Sequence, residues 1–203
     1  MRRYENLEKE LNSCVEDVVK HSICVSNVGY SIAEELGMPE QICYETAVAG
    51  MIHDIGKVKL VPYIMANDDS PYTLEKIRYM RMHSQLSYDI LKGGDYSEYI
   101  MESILHHHEN YDGSGYPNNL KGDNIPIGAR ILKVSDVFAA LISDRPYRKA
   151  FNPDMAVEIM IDEVKNFDMK VFLAFQRVIH EVSIEEMIGT ERKSNNGRVN
   201  ERT

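Results

Sequence analysis

Apolar residues recur along this chain at helical spacing. Val15, Val18, Val19, Ile23 and Val28 mark one face, and the pattern continues to Leu36, where Gly37 supplies a stop. Pro39 suits the first turn of a second helix, which runs through Ile42, Ala47 and Met51 to about His53 and is closed by Gly56. The short apolar stretch from Val58 to Met65 fits either a helical turn or an extended segment, and residues 67–72 read as a loop. Thr73 is a plausible N-cap for a helix reaching about Leu91, ended by Gly93-Gly94. A further helix is predicted from about Ser97 to Glu109, then a polar loop from Asn110 to Ile125. Pro126 opens another helix to about Ile142, and Asn152-Pro153 forms an N-cap and first-turn pair for the next. The last helix carries Val171, Phe175, Val178 and Val182. No strand alternation, linker or internal repeat interrupts this series. The expectation is one all-α domain over residues 1–188, with a polar, disordered tail at 189–203.

Charge narrows the partners. The formal net charge is −9, which disfavours nucleic-acid polymers and anionic membrane surfaces. An anionic substrate then needs local cations, from metal ions or a few placed Lys and Arg residues. There is no apolar run long enough to insert in a membrane, and the charged N-terminus does not read as a signal peptide. Cys14, Cys24 and Cys43 match no Cys-x-x-Cys pattern, so reduced thiols and a cytoplasmic setting are expected.

The histidines are placed unevenly. His53-Asp54 falls at a predicted helix end before Gly56-Lys57, and His106, His107 and His108 close another helix. His21 and His83 lie within predicted helices. Asp136 sits in the apolar run Ile131, Leu132, Val134, Val137, Phe138, where an unpaired carboxylate costs several kcal/mol unless it meets a metal or a partner. Each residue has a plainer reading. A lone His21 or His83 is more often a hydrogen-bonded or surface histidine, and Asp136 faces solvent if the helix phase shifts by one. Their joint arrangement favours a metal site, and mixed imidazole and carboxylate donors suit iron, manganese or zinc.

The segments His53-Asp54-Ile55-Gly56-Lys57, His107-His108-Glu109-Asn110-Tyr111-Asp112-Gly113-Ser114-Gly115-Tyr116-Pro117 and Leu120 to Pro126 carry a resemblance. So do Ala129-Arg130-Ile131-Leu132, Asp136-Val137-Phe138 and Arg145-Pro146-Tyr147-Arg148. Over about residues 15–151 the chain resembles the HD-GYP family, a branch of the HD-domain phosphohydrolases that hydrolyses cyclic di-GMP. The resemblance implies an all-α HD-domain helical bundle with a GYP-type loop. It implies two divalent ions, iron or manganese favoured, held by His21, His53, Asp54, His83, His107, His108 and Asp136, with Asp54 between the ions. Asp17, one turn before His21, matches the position of a glutamate that holds a third ion in some members. His106 matches no ligand.

By the same resemblance Lys57 faces the scissile phosphate and acts with Asp54 in catalysis, while Arg145 and Arg148 contact substrate. The plainer reading of both arginines is a helix C-terminal cap. Tyr116 either stacks on a base or packs the loop. The activity implied is metal-dependent hydrolysis of cyclic di-GMP to linear pGpG and/or GMP, by water activated at the metals. Alternatives are an HD phosphohydrolase for another nucleotide, or a catalytically weak cyclic di-GMP-binding protein with signalling partners. The chain departs from the pattern at Ala139, where an aspartate is usual, at Cys24, at one extra residue before Pro62, and at Ser87. Ala139, one turn after Asp136, is expected to face the substrate side.

Overall fold

A computed structural model describes residues 2–60, 74–145 and 148–181, with side chains from Glu16 onward. Its helices are α1 (Arg2–Glu35), α2 (Glu40–Ile52), α3 (Leu74–Met80), α4 (His83–Leu91), α5 (Glu98–His106), α6 (Ile127–Leu141), α7 (Pro153–Asp162) and α8 (Met169–Glu181). Two short 3₁₀ turns, Gly122–Asn124 and Val164–Asn166, lie between them. Among the described residues there is no strand, and only Arg145 and Arg148 pair as an isolated bridge. Among the described residues no helix is long and apolar enough to cross a membrane. The loop expected at 67–72, the cap expected at Thr73 and the tail at 189–203 lie outside the described residues.

The bundle forms around α1 and α6. Helix α1 packs against α2, α6 and α8, and α6 also packs against α5 and α7. Val25, Val28 and Ile32 of α1 meet Ile131, Leu132, Val134 and Phe138 of α6 and Phe172 and Phe175 of α8 in one apolar core. Phe138 and Phe175 touch edge to face at 5.0 Å, a favoured aromatic geometry. The apolar stripe of α1 differs from the sequence expectation. Val18 and Val19 are exposed, and burial begins near Ser22. The apolar face of a helix is buried only where a partner covers it, and residues 16–20 of α1 stand clear of such cover.

The helix expected from Thr73 to Leu91 is broken. The chain turns at Arg81–Met82, so α3 ends at Met80 and α4 begins at His83. No Gly, Pro or capping side chain marks this break, and the freed Met80 carbonyl takes a side-chain partner described below. Asn152 caps α7 as predicted, and Ser97, the predicted helix start, caps α5. Ser97 accepts from the Ile100 amide at 3.3 Å, and Asn152 accepts from Met155 at 2.8 Å.

Candidate metal centre

Three helix ends supply histidines in one repeated way. A helix leaves its last carbonyls without amide partners. Here the ring Nδ1 of His53 lies 2.7 Å from the Gly50 carbonyl, that of His83 2.5 Å from Met80, and that of His107 2.6 Å from Ile104. In each case the carbonyl is three residues back and belongs to the last turn of α2, α3 or α5. A carbonyl accepts only, so each Nδ1 carries the proton and donates it. That fixes the tautomer and leaves each Nε2 as a bare lone pair.

Those lone pairs converge. His83 Nε2 lies 3.2 Å from His107 Nε2 and 2.9 Å from His108 Nε2. His53 Nε2 is 3.3 Å from Asp54 Oδ2, and His83 Nε2 is 3.3 Å from Asp54 Oδ1. His21 Nε2 reaches Asp136 Oδ1 at 3.2 Å and Asp54 Oδ2 at 3.9 Å. His53 Nε2, Asp54 Oδ1 and His21 Nδ1 are buried without a hydrogen-bond partner. Acceptors crowded against acceptors repel one another unless a cation sits among them. The donors fall into three overlapping groups: His83 with His107 and His108, His21 with His53 and Asp54, and His53 with His107 and Asp136. Within each group the donor atoms lie within 4.8 Å of one another. The carbonyl-end dipoles of α2 and α5 add a further preference for positive charge. This donor set fits divalent metal.

Electrostatics agrees. Burial, with the other histidines adding to it, pushes His107 well down, and burial holds His108 at about 3. His83 is also lowered, first by burial. His53 is buried too, but Asp54 and Asp136 outweigh that and lift it. Burial raises Asp54 and Asp136, yet the surrounding histidines, with Lys57 beside Asp54, bring both well below the usual carboxylate range. The pH dependence of the metal-free chain follows. The unfolded chain binds protons on His83, His107 and His108 below their ordinary 6.5, and the folded chain refuses them. Stability from these groups is therefore full above pH 6.5 and falls as pH drops toward about 3, the folded value for His108. Each contributes up to about 1.4 kcal/mol per pH unit. His53 opposes this only above 6.5, where its stabilisation is lost as pH rises. Denaturant midpoints of chelated protein between pH 7 and pH 4 check the expected fall.

The turn after α2 is stitched to α4. Ser87 Oγ accepts from the Gly56 amide at 2.8 Å and donates to the His53 carbonyl at 2.7 Å. A Cβ at Gly56 would stand 2.2 Å from the His83 carbonyl, so only glycine lets the two segments meet. Ser87 thus joins two ligand-bearing turns. Lys57 Nζ donates to Asp54 Oδ2, and its side chain is 42% exposed.

Glu109, missed in the sequence, organises the loop. It is fully buried, and its carboxylate accepts from the amides of Asn118 at 2.6 Å and Leu120 at 3.1 Å. The Tyr116 amide donates to the His108 carbonyl at 3.2 Å. A Cβ at Gly115 would lie 2.2 Å from the Asn110 nitrogen, which makes glycine obligatory there. The available signal was a carboxylate directly after the paired histidines and before a glycine-rich loop.

Other expected residues stand elsewhere. Asp17 is exposed and belongs to none of the three donor groups. His106 is turned away, 3.3 Å from Glu102 and 3.8 Å from Glu109. Tyr116 stacks on His108 at 4.8 Å with the Arg81 guanidinium 5.4 Å above its ring. It packs the loop, and its ring surface is already in use. Arg145 is exposed beyond the end of α6. Arg148 takes the capping arrangement: its guanidinium donates to the carbonyls of Ala140 at 2.8 Å, Leu141 at 3.0 Å and Lys149 at 2.7 Å, and lies over Phe151. Those bonds commit its donors to the C-terminus of α6.

Ala139 corrects a further expectation. It is fully buried in the apolar core rather than facing substrate. Ala139→Asp is expected to cost roughly 3–5 kcal/mol of stability, as an unpaired buried charge does. Unfolding by urea measures it.

An all-helical bundle with helix ends meeting at a His/Asp cluster is the arrangement of an HD-type domain. The chain belongs to the HD domain family, whose description matches residues 5–171, and within it to the HD-GYP type. It is 34% identical over 170 residues to the cyclic di-GMP phosphodiesterase PA4108 of Pseudomonas aeruginosa, covering 83% of this chain and 41% of that protein. It is 37% identical over 136 residues to the cyclic di-GMP phosphodiesterase response regulator RpfG of Xanthomonas campestris, covering 66% of this chain and 35% of that one. The chain thus spans about two fifths of these relatives. The fold also matches a cyclic GMP-AMP specific phosphodiesterase of Vibrio cholerae with TM-score 0.62 at 17% identity, covering 82% of this chain and 47% of that one.

Proposed function

We propose that this chain hydrolyses a phosphodiester of a cyclic dinucleotide, cyclic di-GMP foremost, to linear pGpG and/or GMP. The metal ligands in this reading are His21, His53, Asp54, His83, His107, His108 and Asp136, holding two ions, with iron or manganese matched to the donor types. The observation that carries it is the convergence of Nε2 lone pairs whose tautomers are locked by helix-end carbonyls. The relatives PA4108 and RpfG, both cyclic di-GMP phosphodiesterases, support the substrate class.

Divalent ions bound there supply Lewis-acid polarisation of the phosphoryl oxygens and a lowered water pKa. The chain's own residues do the rest. Asp54 offers both carboxylate oxygens to the cluster while orienting Lys57. Lys57, half exposed at the rim, neutralises charge that builds on the phosphate in the transition state. Ser87 and Gly56 hold the His53 and His83 turns in register. Free, buried Cys24 and Cys43 suit a reducing cytoplasm, where signalling proteins are the natural partners.

A second reading is another cyclic dinucleotide. The capping role of Arg148, which was expected to contact substrate, favours it, and so does the alanine at 139, which offers no carboxylate to a guanine edge. Metal-loaded protein assayed against cyclic di-GMP, cyclic GMP-AMP and cyclic di-AMP, with products separated by ion-exchange chromatography, tests both. Absence of turnover with all three overturns the reading.

A further inference from the structure

A cyclic dinucleotide carries two phosphates, and only one can lie at the metal ions and Lys57. The other brings a full negative charge to a chain whose net charge is −9. It needs cations of its own. Arg148 is committed to backbone carbonyls, and Arg145 stands past the end of α6. Two other cations stand apart from them: Lys133, which precedes Asp136 on α6, and Arg81, over Tyr116 of the GYP-type loop.

Lys133 is one turn before Asp136 on α6, so the two share a helix face. It is half-buried. The carboxylates whose charge acts on it are Asp136, Glu109 and Asp112. Each is engaged: Asp136 by His21, Glu109 by the Asn118 and Leu120 amides, and Asp112 by the Ser114 amide and hydroxyl. Among the described residues Lys133 has no ion pair within 4.0 Å. The ammonium is not among the buried, unpartnered polar atoms, so it stays open to an incoming anion, which would supply the ion pair it lacks. Arg81 sits at the break between α3 and α4. Its guanidinium lies over Tyr116, which in turn stacks on His108, and it too has no ion pair among the described residues. A stacked guanidinium keeps its N–H edge free for a phosphate.

We propose that Lys133 and Arg81, placed about the His108–Tyr116 stack, form an anion subsite for the second, non-scissile phosphate of the substrate. The inference rests on the cyclic-dinucleotide reading above. It sets the substrate's long axis from the metal ions toward residues 110–120 rather than toward the C-terminus of α6. Lys57 then serves the phosphate that is cut, and this pair serves the one that is not.

The test compares cyclic di-GMP with bis(p-nitrophenyl) phosphate, a phosphodiester that lacks a second phosphate, on wild type, Arg81→Ala, Lys133→Met and the double variant. In each single variant the KM for cyclic di-GMP is expected to rise by roughly tenfold or more relative to that for the small diester, the loss of a charged hydrogen bond. The double variant is expected to fall short of the product of the singles, because both cations hold one phosphate. Calorimetry with a non-hydrolysable phosphorothioate analogue reads the same change as affinity, and metal content and melting temperature report on folding. Equal losses on both substrates, or no change on either, overturn the subsite. Failure of wild type to bind or cleave any cyclic dinucleotide overturns the functional reading itself, and the subsite with it.

Discussion

His107→Ala is expected to strip the chain of bound metal and to lower turnover by on the order of 10³-fold or more, since the metals supply the lowered water pKa. His107 belongs to two of the three donor groups, so its loss opens both. Its ring is wholly buried, and no outside group takes its place. Asp136→Asn is expected to act in the same direction, because it removes the carboxylate that faces His21 at 3.2 Å. His106→Ala is the internal control. That ring contacts Glu102 and Glu109 instead of the cluster, so metal content should persist. Metal analysis of all three variants after anaerobic purification decides the matter. If His106→Ala loses metal as fully as His107→Ala, the donor assignment is wrong.

Lys57→Ala is expected to lower kcat by roughly 30- to 1,000-fold, about 2–4 kcal/mol of barrier, while metal content stays near that of wild type. The ammonium reaches the cluster only through Asp54 and is otherwise open to solvent. A contact made more strongly in the transition state than in the ground state appears in kcat rather than in KM. Lys57→Arg should recover part of the rate, since it keeps the charge at an altered reach. An unchanged kcat in Lys57→Ala would remove the residue from the proposed chemistry.

Much of the centre was legible because its chemistry is local. His53-Asp54 and His107-His108 are adjacent pairs at helix ends, and Asp136 is a carboxylate in an apolar helical run; their placement made them candidates, and the family resemblance implied the ligand set. The reason the histidines are competent ligands was not legible. It depends on which backbone carbonyl each Nδ1 meets, and the break at Arg81–Met82 that frees the Met80 carbonyl carries no Gly, Pro or cap signal. Arg148 illustrates another limit. Its position beyond α6 suits capping and phosphate binding equally, and only the three carbonyl distances separate them. Ala139 misled through helix phase. It lies one turn after Asp136, but at that point α6 has passed from the rim of the site into the core. Lys133 and Glu109 were assigned no role because a charged residue in a helix or beside a loop is ordinarily solvated.

The Glu109 staple bears on how this molecule can change its diet. One buried carboxylate clasps residues 118 and 120, and its own backbone adjoins His108. Reshaping that stretch of loop would pull on a metal ligand, so the stretch is effectively locked against drift. Exposed side chains such as Ser114, Asn118 and Lys121 make no such bond to the ligand shell and can be exchanged cheaply. On the cyclic-dinucleotide reading proposed above, new nucleotide preferences are reachable by single surface substitutions on a loop whose backbone stays put, and adaptation of substrate choice is uncoupled from that of the His/Asp cluster.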